Sequence, residues 1–156
     1  MAEVDEAEQT FDGADEVDPN LDLIKGYGGA LVREKIVAAF SRQLVILVGD
    51  EKIVAKLGAR GKLPVEVVPF GEALCTRELK GLGCRPVQRK VDGKTFVTDN
   101  GNHILDCGID PIANPAAFER TVLAIPGVVG TGLFLGMAQT VIIEKGDTVE
   151  VRERSK

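Results

Sequence analysis

The stretch "DGADEVDPNLDLIKGYGGALVREK", residues 12–35, places six carboxylates, two lysines and an arginine around a glycine-rich turn. Side chains of these types do two kinds of chemistry. Carboxylates take up and release protons, while ammonium groups and free backbone amides hold developing negative charge. Asp12, Asp15, Lys25, the amides of Gly26 to Gly29 and, further along, Lys52 are the candidates to surround a small ligand. A helix beginning just after the glycines would favour negative charge at its N-terminus. Glu34 sits on that helix with Ala30, Leu31, Val37 and Ala38 at its helical neighbour positions and no cation there to pair with it. Apolar surroundings would push its pKa upward, as a general base needs. Arg33 and Lys35 share those neighbours, so this ground alone does not choose Glu34.

The elements that must position these residues come next. Gln43 to Val48, "QLVILV", is a short apolar run that predicts a strand buried on both faces, as in a parallel sheet. "EQTF" before Asp12 is a second, weaker strand, and Gly28 to Phe40 predicts a helix buried around most of its circumference. Together they predict a β-α-β unit, in which ligands bind outside the carboxyl ends of the strands. Asp12 follows one strand and Gly49-Asp50-Glu51-Lys52 the other, so the charge converges on one crevice. From Leu63 the order becomes β-α-β-β-α-β: the strand "LPVEVVPF", a helix from Gly71 to Leu82, a hairpin "PVQRKVDGKTFVTD" turning at Asp92-Gly93, the strand "NHILDC", a helix capped by Asn114, and the strand "GVVGTGLFLG". That order predicts a ferredoxin-like module. The C-terminal hairpin "TVIIEKGDTVEVRER" has no place in it and is expected to return to the first sheet.

Bulk composition limits the function. With 44% hydrophobic and 28% charged residues the chain is globular, and its net charge of −5 without a basic run excludes a nucleic-acid footprint. No apolar run reaches the length of about 18 residues needed to span a membrane. The start "MAEVDEAEQ" is acidic, unlike a signal peptide. Cys75, Cys84 and Cys107 show no metal or disulfide spacing and read as packing in a reduced, cytosolic setting. His103, the single histidine, reads as structural. The spacing of Asp12, Asp15, Asp18, Asn20 and Asp22 does not fit a calcium-binding EF-hand loop.

The segments "FDGADEVDPNLDLIKGYGGALVREKIV", "VTDNGNHILDC" and "AIPGVVGTGLF" resemble the A-type ribose-5-phosphate isomerases, in register from about residue 3 to the end. The resemblance implies an α/β fold: an incomplete Rossmann-like parallel sheet, residues 1–62 and 136–156, with an inserted ferredoxin-like lid module, residues 63–135. It implies an aldose–ketose isomerase of the pentose phosphate pathway, cytoplasmic, a homodimer or larger homo-oligomer, acting on a sugar phosphate without metal or cofactor. Glu34 is similar by position to the family's catalytic base, and the substrate contacts map onto Asp12, Gly13, Ala14, Asp15, Lys25, Gly26, Tyr27, Gly28 and Lys52. The alternative is a non-catalytic sugar-phosphate sensor or assembly module of the same superfamily. The chain departs from the family pattern at Tyr27, where glycine is usual, and in the turn "GDEK". It also has no counterpart of the family's N-terminal β-α-β region with its Gly-Thr-Gly-Ser-Thr phosphate loop, and Gly130-Thr131-Gly132 lies in a strand instead. An incomplete phosphate site, a bare sheet edge and poor isomerase activity of residues 1–156 alone are therefore expected.

Overall fold

A computed structural model describes residues 7–155; most of the acidic start of the chain lies outside them. The elements in chain order are β1 (Ala7–Asp12), β2 (Glu16–Val17), β3 (Leu23–Ile24), α1 (Leu31–Phe40) and β4 (Ser41–Gly49). There follow β5 (Lys62–Val67), α2 (Glu72–Gly81), β6 (Arg85–Gln88), β7 (Lys90–Val91), β8 (Lys94–Thr95) and β9 (His103–Gly108). The last are α3 (Pro115–Leu123), β10 (Val128–Thr131), β11 (Leu133–Phe134), β12 (Ala138–Lys145) and β13 (Thr148–Glu153).

The first sheet has the order β1-β4-β12-β13. β1 and β12 both run parallel to β4, and β13 folds back antiparallel on β12, so the C-terminal hairpin does join the first sheet. β4 is apolar because it is central and flanked on both sides, but only Leu44, Val45 and Ile46 are buried, and Leu47 is half exposed. β1 pairs with no second strand among the described residues, and Phe11 on it is 60% exposed.

The second sheet, β10-β5-β9-β6, is antiparallel. Numbered within the β-α-β-β-α-β unit its order is 4-1-3-2, the ferredoxin-like arrangement. Leu63, Val65 and Val67 of β5 join Leu105 and Cys107 of β9 in one core with Cys75, Leu79 and Val122 of the two helices. Periodicity of two on the strands thus meets helices packed on one face. Asn114 caps α3, its side chain accepting from the Ala117 amide at 3.0 Å, as its position before Pro115 predicts.

Four expectations are corrected. Helix α1 starts at Leu31, not Gly28, because Gly26 and Gly29 adopt φ of +104° and +92°, outside the helical region. It is also amphipathic in an unexpected way, with only Leu31 and Ala38 buried and Ile36 52% exposed. The hairpin at Asp92-Gly93 is only the two-residue pair β7–β8, since β6 takes its partner from β9 instead. Finally, "GVVGTGLFLG" is not one strand. At Gly132 the chain passes from β10 in the antiparallel sheet to β11, which pairs with β3 in a small third sheet, β11-β3-β2.

Gly132 is where these layers are stitched together. Its carbonyl accepts from the Lys25 amide and its amide donates to the Pro64 carbonyl, both at 2.8 Å. A Cβ here would stand 2.3 Å from the Lys25 carbonyl oxygen. Gly132→Ala is therefore expected to lower stability by about 1–3 kcal/mol, the usual cost of overpacking. An unchanged denaturation midpoint would contradict this placement.

Candidate active site

The site is organised by Lys25. It follows β3, is 3% exposed, and its ammonium meets three oxygens: Asp12 Oδ2 at 2.9 Å, the Gly13 carbonyl at 2.5 Å and Glu34 Oε2 at 3.3 Å. The face of Phe134 lies 5.6 Å away. Asp12 is held in turn by the Gly13 amide, which donates to its Oδ1 at 2.7 Å. The strand β1 thus ends in a carboxylate, β3 is followed by an ammonium, and the first turn of α1 adds another carboxylate. The apolar isolation expected for Glu34 from its helical neighbours is absent, because a cation arrives from a different element. Glu34 Oε2 is buried and makes no hydrogen bond, its contact being the ion pair with Lys25.

These groups line a cavity of about 230 Å³, formed by Asp12 to Asp15, Lys25, Gly26, Gly28 and Glu34. Of the residues singled out in the sequence as ligand contacts, Tyr27, Gly29 and Lys52 do not line it. Lys52 closes the 3₁₀ turn after β4, at the carboxyl end of that strand. Tyr27 contributes its amide, which donates to Asp15 Oδ2 at 3.1 Å, while its ring packs against the core of the antiparallel module.

The charges of the opening stretch sort into two sets. Asp12, Asp15 and Glu34 face the cavity. The others hold the chain: Glu16, fully buried, accepts from the amides of Gly58 and Arg60 at 2.6 and 2.7 Å. Asp18 accepts from the amides of Asn20 and Asp22, and burial raises its pKa. Asp22 receives Gly136 and Arg154. The neighbours of Glu34 on α1 are likewise engaged elsewhere. Arg33 donates to Asn100 Oδ1 and the Asp99 carbonyl. Lys35 donates to Glu119 and the Thr131 carbonyl, its pKa lowered by burial. Arg33 and Lys35 are thus engaged away from the cavity, whereas Glu34 lines it.

Sequence reasoning missed Arg89, Asp106 and Phe96, which grip the glycine turn from the antiparallel module. Arg89 Nη1 donates to the Gly26 and Tyr27 carbonyls. A Cβ on Gly29 would lie 2.5 Å from the Phe96 ring. Nothing local marks these residues, since "QRKVDGKTF" reads as a solvated hairpin. His103 pairs with Glu72 at 2.5 Å and the three cysteines are buried and free, in line with structural roles. Among the described residues no cluster of His, Cys, Asp and Glu suited to a metal is present, and no helix is long and apolar enough to cross a membrane.

An ammonium between two carboxylates in one cavity at the end of a parallel strand pair, with an antiparallel module holding the adjoining glycine turn, is the layout of an α/β small-molecule site. The chain belongs to the ribose 5-phosphate isomerase A (phosphoriboisomerase A) family, whose model matches residues 1–148. It is 52% identical over 155 residues to ribose-5-phosphate isomerase A of Thermomicrobium roseum, covering 98% of this chain and 65% of the relative. With that of Gloeobacter violaceus it shares 51% over 152 residues, covering 97% and 66%. A solved D-ribose-5-phosphate isomerase in complex with phospho-erythronic acid superposes with a TM-score of 0.94 at 36% identity, covering 99% of this chain and 68% of that one. The isomerase of Methanocaldococcus jannaschii gives 0.89 at 37%, covering 95% and 66%. The chain therefore spans about two thirds of the length of these relatives.

Tyr27 is the only tyrosine in the chain, so its ionisation is directly readable. Burial, with Glu16 and Asp15 nearby, pushes its pKa up to about 12 from 10.0. The unfolded chain then releases this proton at a lower pH than the folded one, so Tyr27 contributes stability that is intact below pH 10 and is lost as pH rises toward 12. Tyrosinate absorbance of the folded chain should have its midpoint near 12, and Tyr27→Phe should reduce the alkaline loss of stability. A midpoint near 10 in folded protein would contradict the burial of this ring.

Proposed function

We propose that this chain carries the catalytic groups of an isomerase that interconverts D-ribose 5-phosphate and D-ribulose 5-phosphate through an enediolate. The observation that carries the reading is the Lys25–Glu34 contact of 3.3 Å beside a cavity that both line. Glu34 takes the proton from C2 of the open-chain sugar and returns it to C1, while the hydroxyl proton at O2 passes to O1, so composition is unchanged. Lys25, an ammonium fixed before the reaction, offsets the negative charge that develops on these oxygens. Asp12 and Asp15 hold sugar hydroxyls and assist ring opening. Phospho-erythronic acid, bound by the solved neighbour, is a four-carbon acid phosphate of the shape this cavity would accept.

The cavity lining holds three carboxylates against one ammonium, an environment poorly suited to a phosphate dianion. In this reading the phosphate lies outside it, toward Lys52 and toward protein beyond the two thirds that this chain shares with its relatives. Residues 63–135 act as the lid module, and residues 1–62 and 136–156 as the isomerase domain. The exposed Phe11 and Leu47 support a homodimer or larger homo-oligomer, and three free cysteines suit the cytoplasm.

The test is Glu34→Gln, assayed with ribose 5-phosphate in residues 1–156 and in the same chain extended upstream by a relative's phosphate-loop segment. Removing the base should lower turnover by about 10²- to 10⁴-fold while phospho-erythronic acid still binds. The extended chain should exceed the short one by more than about tenfold, because a remote phosphate contributes to kcat as well as to affinity. Turnover in Glu34→Gln equal to that of the unaltered extended chain would remove Glu34 from the mechanism.

A further inference from the structure

Arg89 leaves the antiparallel module and reaches the main chain of the glycine turn. Its side chain is 10% exposed, and Asp106 grips it with both oxygens, Nε to Oδ2 at 2.9 Å and Nη2 to Oδ1 at 2.6 Å. This two-pronged pairing leaves Nη1 aimed in a fixed direction. Nη1 donates to the carbonyls of Gly26 and Tyr27, each at 3.1 Å. Phe96 flanks the guanidinium, its ring centroid 5.7 Å from Cζ, and Gly29 backs onto the same ring.

Every peptide bond among the described residues is trans, and in a trans peptide the carbonyl and the N–H point in opposite directions. By holding the Gly26 carbonyl, Arg89 aims the Tyr27 N–H away from itself. By holding the Tyr27 carbonyl, it aims the Gly28 N–H away as well. The first consequence is visible, since the Tyr27 N–H donates to Asp15 Oδ2, a cavity residue. The second N–H, that of Gly28, has no partner among the described residues, although Gly28 lines the same cavity. A Cβ on Gly28 would meet nothing within 4 Å, so the space beside it is open.

We infer that Arg89, locked by Asp106, is a positioning residue that sets the two peptide planes of residues 26 to 28 and so presents the Gly28 N–H to an oxygen of the bound sugar phosphate. The ligand in this statement rests on the reading of the site given above, whereas the orientation of the peptides does not. Lysine at position 89 could reach a carbonyl but lacks the planar fork that also engages Asp106.

The experiment uses residues 1–156 labelled with ¹⁵N, unaltered and as R89Q, R89K and D106N, with the amides of Leu44 and Val141 as controls for an intact first sheet. Without ligand, R89Q should speed hydrogen exchange at the Tyr27 amide and move the Gly28 resonance, with R89K and D106N intermediate. On titration with phospho-erythronic acid the unaltered chain should show a shift at Gly28. R89Q should weaken binding by about five- to tenfold, as loss of an oriented hydrogen bond does, and should abolish the Gly28 shift. D106N keeps the arginine and decides the matter should R89Q not fold. Unchanged exchange at Tyr27, or equal affinity with an equal Gly28 response, overturns the inference. A cavity that ignores the ligand both in the unaltered chain and in the chain extended upstream overturns the sugar-phosphate reading and the ligand half of this inference, and Tyr27 exchange then decides the positioning half alone.

Discussion

The constraint on which the rest depends is the burial of one ammonium. Taking a lysine out of water is costly unless the charge is paired and its donors are used. Lys25, 3% exposed, meets Asp12, Glu34 and the Gly13 carbonyl. These partners come from the end of β1, the turn after it and the first turn of α1. Lys25 itself follows β3, whose strand neighbours are β11 and β2. Satisfying one side chain therefore requires the parallel sheet, the small third sheet and the helix to end at one point. An apolar residue at position 25 would leave two carboxylates facing each other without a counter-charge, so this ion cluster constrains which folded arrangements of these elements are tolerable.

A second lysine extends the same logic across the molecule. Lys35 lies 4.9 Å from the face of Phe134, the ring that also faces Lys25, and its ammonium ties α1 to Glu119 on α3 and to the Thr131 carbonyl at the end of β10. Arg33 does the equivalent one residue before Glu34, reaching Asp99 and Asn100. The helix that carries Glu34 is thus moored on both sides of it to the antiparallel module, which explains why its charged residues sit on an element whose apolar residues Ile36 and Val37 remain exposed.

Much of this was legible in the sequence, and what was not has a common cause. The strand β4, the cap at Asn114, the Asp92-Gly93 turn and the ferredoxin-like order follow from patterns within about a dozen residues, where side-chain period and turn chemistry act. Asp12, Asp15 and Glu34 line one cavity because a β-α-β unit returns its loops to the same side, and Lys25 joins them from the loop after β3. The environment of Glu34 was misjudged because its partner, Lys25, comes from a loop and not from the helix. Gly132 looked like one more residue of a strand, since only its contacts with Lys25 and Pro64 reveal that the chain changes sheets there. Arg89 was invisible for the same reason, being local to a polar hairpin and distant in sequence from the turn it holds.

The layout bears on how the site works. Lys25 is fixed to β5 by a two-step relay, its amide to the Gly132 carbonyl and the Gly132 amide to the Pro64 carbonyl. The glycine turn that follows it is fixed by Arg89, and Glu34 by the moorings of α1. Glu34 and Lys25 are therefore held at their separation by contacts that lie outside the cavity, as the proposed proton transfer requires. Fixed charges of this kind stabilise a transition state more effectively than groups that must first reorient. Because the antiparallel module supplies Pro64, Arg89 and the partners of Lys35, a rigid swing of the whole module would break the ties that define the site. The proposed lid module, residues 63–135, is therefore a fixed cover, tied to the site through Pro64, Arg89 and Glu119.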